Sequence, residues 1–411
     1  MKYGCIGEHL SHSFSKEIHN LLADYPYEIH EVARESLDAF ITERNFSGIN
    51  VTIPYKELVI PHLYYIDESA KRIGAVNTII NKAGKLYGYN TDFYGMTELI
   101  NKAKVTVKGR GVAILGTGGT SKTAHAVCEA LGAEKIITVS RRASEATIDY
   151  CELHRRADEI DVIINTTPVG MYPNIYASPV NLEDFPHLSG VIDAIYNPNR
   201  SVLISEAKKR GISALGGLYM LVAQALRASE IFLDKKYQDG TLDRVYDSTL
   251  KSKENVVLIG MPASGKSTVG KILADMLGRR LVDTDELIVE HAGMPITEIF
   301  AKYGEAAFRD MEEAAVREVS TASSLVIATG GGAILRDGNV DALRQNGKLF
   351  FLDRPLEKLV PTNTRPLASD LAAIKKRYDE RYSRYIAVAD EIIDCDRAPN
   401  EIAKIIGEKY R

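Results

Sequence analysis

The chain has 411 residues, enough for two or three domains at a usual size of about 150 each. Hydrophobic residues make up 45% and charged residues 26%, with 31 Gly and 14 Pro, which excludes disordered, collagen-like and coiled-coil classes. The balance of 51 Lys and Arg against 55 Asp and Glu leaves a formal charge of −4 and excludes a protein that mainly coats nucleic acid, though not a local basic pocket for a phosphorylated ligand.

Cys5, Cys128, Cys151 and Cys395 form no C-x-x-C pair, so neither a disulfide framework nor a sulfur-rich zinc site is expected, and a reducing cytoplasmic compartment is. The start, MKYGCIGEHLSHS, has no apolar h-region, and no stretch approaches the ~18 apolar residues of a spanning helix, so no membrane partner is expected.

Residues 1–103 form a first lobe with strands expected at Tyr3–Ile6, Tyr27–His30, Gly48–Thr52 and Thr78–Asn81. Within it, GINVTIPYK (48–56), GAVNT (74–78) and GYNTDFYG (88–95) bring Lys56, Asn77 and Asp92 near strand ends. Singly these read as a surface lysine, an Asx turn and a helix cap. Together they supply one ammonium, one carboxylate and several amides and hydroxyls, which suits a small polyhydroxy acid undergoing proton transfer beside a nicotinamide.

Residues 104–215 read as a Rossmann-like unit, with VAILG, KIITVS, VIINTT and VIDAIY as short β-rich runs between helical connections. The turn Gly116-Thr117-Gly118-Gly119-Thr120, placed ahead of the next helix, would let a pyrophosphate approach backbone N–H groups; the plain alternative is any tight strand-to-helix turn. The following strand ends in Ser140-Arg141-Arg142 where an NAD site usually has Asp or Glu, so NADP(H) is favoured over NAD, unless the arginines merely face solvent. The long helix GGLYMLVAQALRASEIFL opens a segment, 216–246, expected to return to the first lobe, which makes the interlobe cleft the expected ligand site.

The polar stretch 234–255 reads as a linker or surface hairpin, with the linker proper at 247–254. A second unit, 255–411, then begins with GMPASGKST at 260–268, a phosphate loop between strand and helix. Ala263, Ser264, Gly265 and Thr268 belong to that loop, Lys266 can reach the β- and γ-phosphates, and Ser267 can bind Mg²⁺. The motif alone does not separate kinase, GTPase and transport ATPase. Next, LVDTDELI sets Asp283 and Asp285 on one side of an extended segment, or else as turn carboxylates capping a helix. Arg309 in GEAAFRDMEE can pair with an anionic substrate or face solvent, and Gly330-Gly331-Gly332 is costly unless backbone must approach something closely.

Taken as an ordered set, SHSFSKEIHN (11–20), GINVTIPYK, GAVNT, GYNTDFYG, the GTGGT turn, NTTPVGM (165–171), DAIYNPNRSVL (193–203) and GGLYMLVAQA (216–225) resemble shikimate dehydrogenase across nearly all of the first 250 residues. The resemblance implies NADPH-dependent reduction of 3-dehydroshikimate to shikimate with Lys56 and Asp92 as the catalytic pair. It also implies substrate contacts by Ser13, Ser15, Thr52, Asn77, Asp92, Tyr196 and Gln224, with Gly217 near the nicotinamide. Lys16 stands where the family commonly has Pro, and Ser140 where it often has Asn. A quinate-using relative is the nearest alternative, since one buried hydroxyl partner can reverse such a preference.

Residues 255 to about 395 resemble shikimate kinase, which implies ATP + shikimate → ADP + shikimate 3-phosphate. The resemblance assigns Asp285, Arg309, the Gly330–Gly332 turn (Gly331 and Gly332 above all) and Arg381 to shikimate. Asp283 falls near Mg²⁺, Arg365 in the ATP lid, and Lys266 and Asp285 at the chemistry. Ala263 stands where the phosphate loop commonly has Gly, and RYSRYIAVAD lacks the usual internal Pro-Leu after Arg381.

The sequence thus predicts an α/β chain: a two-lobed dehydrogenase with a Rossmann-like NADP domain, followed by a P-loop α/β kinase domain. NADP(H), ATP and Mg²⁺ are the expected cofactors, 3-dehydroshikimate and shikimate the expected substrates, and nucleic acid is not an expected partner; homo-oligomerisation is left open. A regulator that keeps nucleotide folds without chemistry is the competing class, and retention of Lys56, Asp92, Lys266, Asp283 and Asp285 argues against it. All nine histidines read as structural or surface groups.

Overall fold

The computed structural model describes residues 1–8, 10, 14–359 and 371–410. The chain divides into two compact units, Met1–Leu250 and Lys251–Arg411. Among the described residues no helix is long and apolar enough to cross a membrane.

The first unit holds two sheets. Strands β1 (Tyr3–Gly7), β2 (Tyr27–Glu31), β3 (Gly48–Val51), β4 (Tyr65–Ile66), β5 (Thr78–Lys82) and β6 (Lys85–Tyr89) lie in the order β2-β1-β3-β5-β6-β4, with β5 antiparallel to β3 and β6. Strands β7 (Gly111–Leu115), β8 (Lys135–Val139), β9 (Val162–Asn165), β10 (Gly190–Asp193) and β11 (Ser213–Leu215) form a parallel sheet in the order β11-β10-β9-β7-β8. Every residue of β7, β9 and β10 is buried, as expected of parallel strands covered on both faces. The strand order reverses direction at β7, which opens a crevice at the carboxyl ends of β7 and β9 where ligands of such sheets bind.

One helix ties the lobes together. Along Leu218–Leu233, Tyr219 and Met220 pack with Met96, Leu99 and Ile100, Val222 and Leu226 with Ile18 and Leu22, and Ala228 and Phe232 with Tyr3, Tyr25 and Tyr27. A helix apolar nearly all round is what three separate cores require of it.

In the second unit, β12 (Asn255–Ile259), β13 (Arg280–Asp283), β14 (Leu325–Ala328), β15 (Gly347–Asp353) and β16 (Glu391–Asp394) form a parallel sheet in the order β13-β14-β12-β15-β16. Alternate residues of central β12 serve opposite cores: Val257 and Ile259 join Ile327 and Phe351, while Val256 and Leu258 join Val326 and Phe350.

Three expectations are corrected. The stretch 234–255 is not a hairpin or an irregular linker: Thr241–Lys253 is a helix, and the division between the two units, after Leu250, falls within it. Its body is held by unit-one groups, Tyr219 donating to Asp243 at 2.8 Å, whereas the carbonyls of Lys251 and Ser252 are bound by Arg279 and Ser324 of the second unit. The helix after β7 starts at Gly119, inside the expected turn. Asp285 lies not on an extended segment but in the first turn of the helix Thr284–Ala292.

Candidate active sites

A cleft of about 500 Å³ in the first unit is lined by residues from both lobes. Lys56 reaches it from the turn after β3. Tyr55, fully buried, donates its hydroxyl to the Val32 carbonyl at 2.5 Å, and the Val76 N–H donates to the Lys56 carbonyl at 2.8 Å, so the backbone is pinned on both sides of the lysine. Asp92 occupies the first turn of the helix Thr91–Lys102, where the positive end favours a carboxylate. That turn is fixed by Asn90, which caps the Phe93 N–H at 3.2 Å and donates to the Ala75 carbonyl at 2.9 Å. Lys56 Nζ donates to Asp92 Oδ2 at 2.6 Å.

The neighbouring wall is a web of amides and hydroxyls. Asn77 Oδ1 accepts from the Thr91 N–H at 2.8 Å, Asn77 Nδ2 donates to Thr91 Oγ1 at 3.1 Å, and Gln224 Nε2 donates to the Leu221 carbonyl at 2.9 Å. Ser15, Thr52, Lys56, Asn77, Asp92, Tyr196 and Gln224 all line the cleft, as do Thr120 and Gly217 from the expected cofactor set. Ser13 falls outside the described residues.

Gly116, Thr117, Gly118 and Gly119 end β7 and begin the next helix, and Ser140-Arg141-Arg142 follow the adjacent β8. A Cβ on Gly118 or Gly119 would meet nothing within 4 Å, so the turn has room for close approach. Gly116, at φ 110°, packs where a Cβ would come within 2.7 Å of Thr166 Oγ1. Arg141 and Arg142 are exposed. Open glycine backbone at a helix start with two free-standing guanidinium-bearing residues beside it fits a dinucleotide carrying an extra phosphate.

Below this crevice Asp193 is wholly buried at the end of β10. It accepts from Ser201 Oγ at 2.5 Å, the Ile195 N–H at 3.0 Å and Asn165 Nδ2 at 3.0 Å, tying the loop that carries Ala194 and Tyr196 to the end of β9. Burial raises its carboxyl to about 6 despite these three donors.

In the second unit Lys266 is buried and donates from Nζ to the carbonyls of Gly260 and Met261, both at 2.9 Å. Ser267 Oγ donates to Asp283 Oδ2 at 2.6 Å, while Asp283 Oδ1 caps the Asp285 N–H at 2.9 Å. Among the described residues no three His, Cys, Asp or Glu side chains cluster as a self-sufficient metal cage. Ser267 and Asp283 therefore offer two hard oxygens that fit Mg²⁺ completed by nucleotide phosphates. Ala263 holds a left-handed φ of 65°, the conformation that a glycine there would adopt without strain.

The glycine turn after β14 is packed against charge. A Cβ on Gly330 would come within 2.6 Å of Asp285 Oδ1 and 2.8 Å of Glu312 Oε1, and one on Gly332 would strike the Arg309 guanidinium. Gly331 presses on Pro262 of the phosphate loop, its carbonyl accepting from Arg381 Nη1 at 3.0 Å. Arg309, expected to face a ligand or solvent, is buried and paired with Glu312 at 2.8 Å and Glu305 at 3.0 Å. Burial raises the Glu312 carboxyl above its ordinary range even with Arg309 opposing it, and burial lowers the Arg381 guanidinium. Arg365 lies outside the described residues.

The family model described as shikimate dehydrogenase substrate binding domain matches residues 5–79, and that described as shikimate kinase matches 262–411. The shikimate dehydrogenase (NADP(+)) of Clostridium beijerinckii is 38% identical over 268 residues, 61% of this chain and 99% of that protein. The chain belongs to the shikimate dehydrogenase family. Among solved structures, shikimate dehydrogenase 1 of Peptoclostridium difficile is 39% identical, with a TM-score of 0.55 over 60% of this chain and 97% of that one. The shikimate dehydrogenase of Thermus thermophilus, solved with NADP(H) and shikimate, is 27% identical, with a TM-score of 0.55 over 61% of this chain and 99% of that one. To its shikimate dehydrogenase part the chain joins a shikimate kinase domain.

Residues absent from the expectations complete both sites. In the shikimate dehydrogenase cleft Asn50, Phe14 and Met220 are also lining groups. Asn50 stands inside GINVTIPYK and was readable there. In the kinase domain Glu312 follows Arg309 by one helical turn, a spacing that signals a pair. Tyr385, within the RYSRYIAVAD segment that matches the kinase family, has its hydroxyl 2.9 Å from the Gly260 carbonyl and 2.6 Å from that of Gly331, bringing together segments far apart in sequence.

Proposed function

We propose that one chain performs consecutive reactions: reduction of 3-dehydroshikimate to shikimate in residues 1–250, then phosphorylation of shikimate in residues 251–411. The observation that carries the first step is the Lys56–Asp92 contact of 2.6 Å inside the cleft. NADPH supplies the hydride. Lys56 gives a proton to the alkoxide forming at the ring ketone or neutralises its charge, and Asp92 orients the ammonium and holds a substrate hydroxyl. Ser13, Ser15, Thr52, Asn77, Tyr196 and Gln224 hold the remaining polar groups, with Gly116–Thr120, Ser140, Arg141, Arg142 and Gly217 on the cofactor side.

For the second step, Lys266 and Arg365 offset phosphoryl charge, and Ser267 and Asp283 would hold an Mg²⁺ ion that, when bound, would add to that charge stabilisation. Asp285 orients the accepting hydroxyl, and Arg309 and Arg381 fork onto the substrate carboxylate. A cytoplasmic setting accords with the metabolic chemistry of both reactions. The test is two assays on the full chain: NADPH absorbance on adding 3-dehydroshikimate, and ADP release on adding shikimate with ATP and Mg²⁺. Both signals are expected; failure of either removes that activity.

A further inference from the structure

Arg354 follows β15, and its guanidinium stands beside the phosphate loop: a Cβ on Gly265 would lie 3.8 Å from Nη1. Asp353, one residue earlier, turns its carboxylate elsewhere and accepts from the Tyr382 hydroxyl at 2.9 Å. Arg354 is half-buried, and its buried Nε has no hydrogen-bond partner among the described residues. Arg344 and Arg377 also leave Nε unmet, but each donates from another nitrogen to a backbone carbonyl. Arg309 is spent on Glu305 and Glu312, and Arg381 on the Gly331 carbonyl.

The surroundings of Arg354 are already positive. The helix Lys266–Leu277 directs the positive end of its dipole at Gly265, and Lys266 adds an ammonium. Burial pushes the Cys395 thiol up to about 12, the Asp394 and Asp353 carboxylates add to that rise, and the Arg354 and Lys266 cations oppose it, so both cations act on one neighbourhood. Like charges gathered at a helix start repel one another, and a ligand with several negative charges offsets that cost. A chain of phosphates does so, and its oxygens match the fork of a guanidinium.

Sheet order separates the two sides of the loop, which follows central β12. On the β14 side Pro262 meets Gly331, in the glycine turn that packs against Asp285 and Arg309. Arg354 comes to Gly265 from β15, on the opposite side of β12. The phosphoryl group in transit must point toward the acceptor pocket, so the phosphates on the β15 side are those that stay with the nucleotide.

We propose that Arg354 is a nucleotide-binding residue of the kinase unit, its guanidinium holding the phosphates that remain on ADP after transfer. The proposal rests on the kinase reading above and adds to it a group that binds substrate and product nucleotide alike. Such uniform binding lowers KM without raising kcat.

Arg354→Gln removes the charge and keeps much of the side-chain length. In the full chain the KM for ATP in shikimate phosphorylation should rise about tenfold to a hundredfold. The Kd for ADP with Mg²⁺, measured by titration calorimetry without shikimate, should rise by a similar factor. The kcat at saturating ATP and the KM for shikimate should each stay within about threefold. Arg354→Lys, which keeps the charge but not the fork, should recover part of both losses. An unchanged Kd for ADP overturns the proposal. So does a fall in kcat with ADP binding intact, which would put the guanidinium on the transferred phosphate. A KM for shikimate that rises in parallel, or an Arg354→Lys loss as deep as that of Arg354→Gln, would mark a structural role and overturn it as well. A wild-type chain that binds ADP yet releases none from ATP and shikimate would defeat the kinase reading, while the ADP titrations would still decide the part played by Arg354.

Discussion

Lys56 Nζ and Asp92 Oδ2 lie 2.6 Å apart although 36 residues separate them, one on the turn after β3 and the other on the first turn of a helix. Removing the ammonium should therefore remove the proton source without disturbing its scaffold, which Tyr55 and Val76 hold through backbone contacts. Lys56→Met is expected to lower the rate of NADPH oxidation with 3-dehydroshikimate by at least about a hundredfold. ATP-dependent phosphorylation of supplied shikimate should continue unchanged. A variant oxidising NADPH at the wild-type rate would disprove the role of Lys56.

The role proposed for the exposed Arg141 and Arg142 is to set the cofactor preference. Each charge-assisted contact to a 2′-phosphate contributes roughly 1.5–3 kcal/mol, about one to two powers of ten in affinity. Arg141→Ala should reduce kcat/KM for NADPH by that factor and leave the value for NADH near wild type, as read by initial rates with each nucleotide. Equal loss with both nucleotides would mean that the arginine does not sense the extra phosphate.

Asp193 predicts a pH effect of definite sign. Its carboxyl is raised by burial from 3.8 to about 6, so the folded state binds a proton that the unfolded chain does not hold between those values. The stabilisation from this group is present in full below about pH 3.8 and is lost as pH rises through about 6. Other carboxylates act oppositely, Glu159 being drawn down to about 2 by Arg156 and Lys135, so the measurement must be a difference. The stability of wild type minus that of Asp193→Asn should be larger at pH 4.5 than at pH 7.5, by up to about 3 kcal/mol in chemical denaturation. A difference independent of pH would show that Asp193 titrates normally.

Gly332 tests the kinase pocket. A methyl group there collides with the Arg309 guanidinium, which Glu305 and Glu312 prevent from yielding freely. Gly332→Ala is expected to raise the KM for shikimate in the kinase reaction about tenfold or more while NADPH-linked reduction proceeds normally. Wild-type kinase kinetics would mean that Arg309 is free to move or does not meet the substrate.

Much of this architecture was legible in local signals. The apolar runs of β7, β9, β10 and β12 announced parallel strands, and the glycine turns after β7 and β12 announced the strand-to-helix turns found there. The segment TLDRVYDSTLKSK was missed because its polar composition hides a narrow buried stripe of Thr241, Val245 and Thr249. It is helical because Asp243 is tethered by Tyr219 and Lys102, partners distant in sequence. The ion pair burying Arg309 and the approach of Arg354 to Gly265 arise from tertiary contacts, which periodicity does not report.

The central claim, that one chain makes shikimate and then phosphorylates it, is tested most directly by product analysis with Lys266→Met. Incubated with 3-dehydroshikimate, NADPH, ATP and Mg²⁺, the wild-type chain should convert each NADPH oxidised into one shikimate 3-phosphate. Lys266→Met should oxidise NADPH at the wild-type rate and accumulate free shikimate, one per NADPH, with no ADP formed. Shikimate 3-phosphate from the variant, or no shikimate from either protein, would contradict the account.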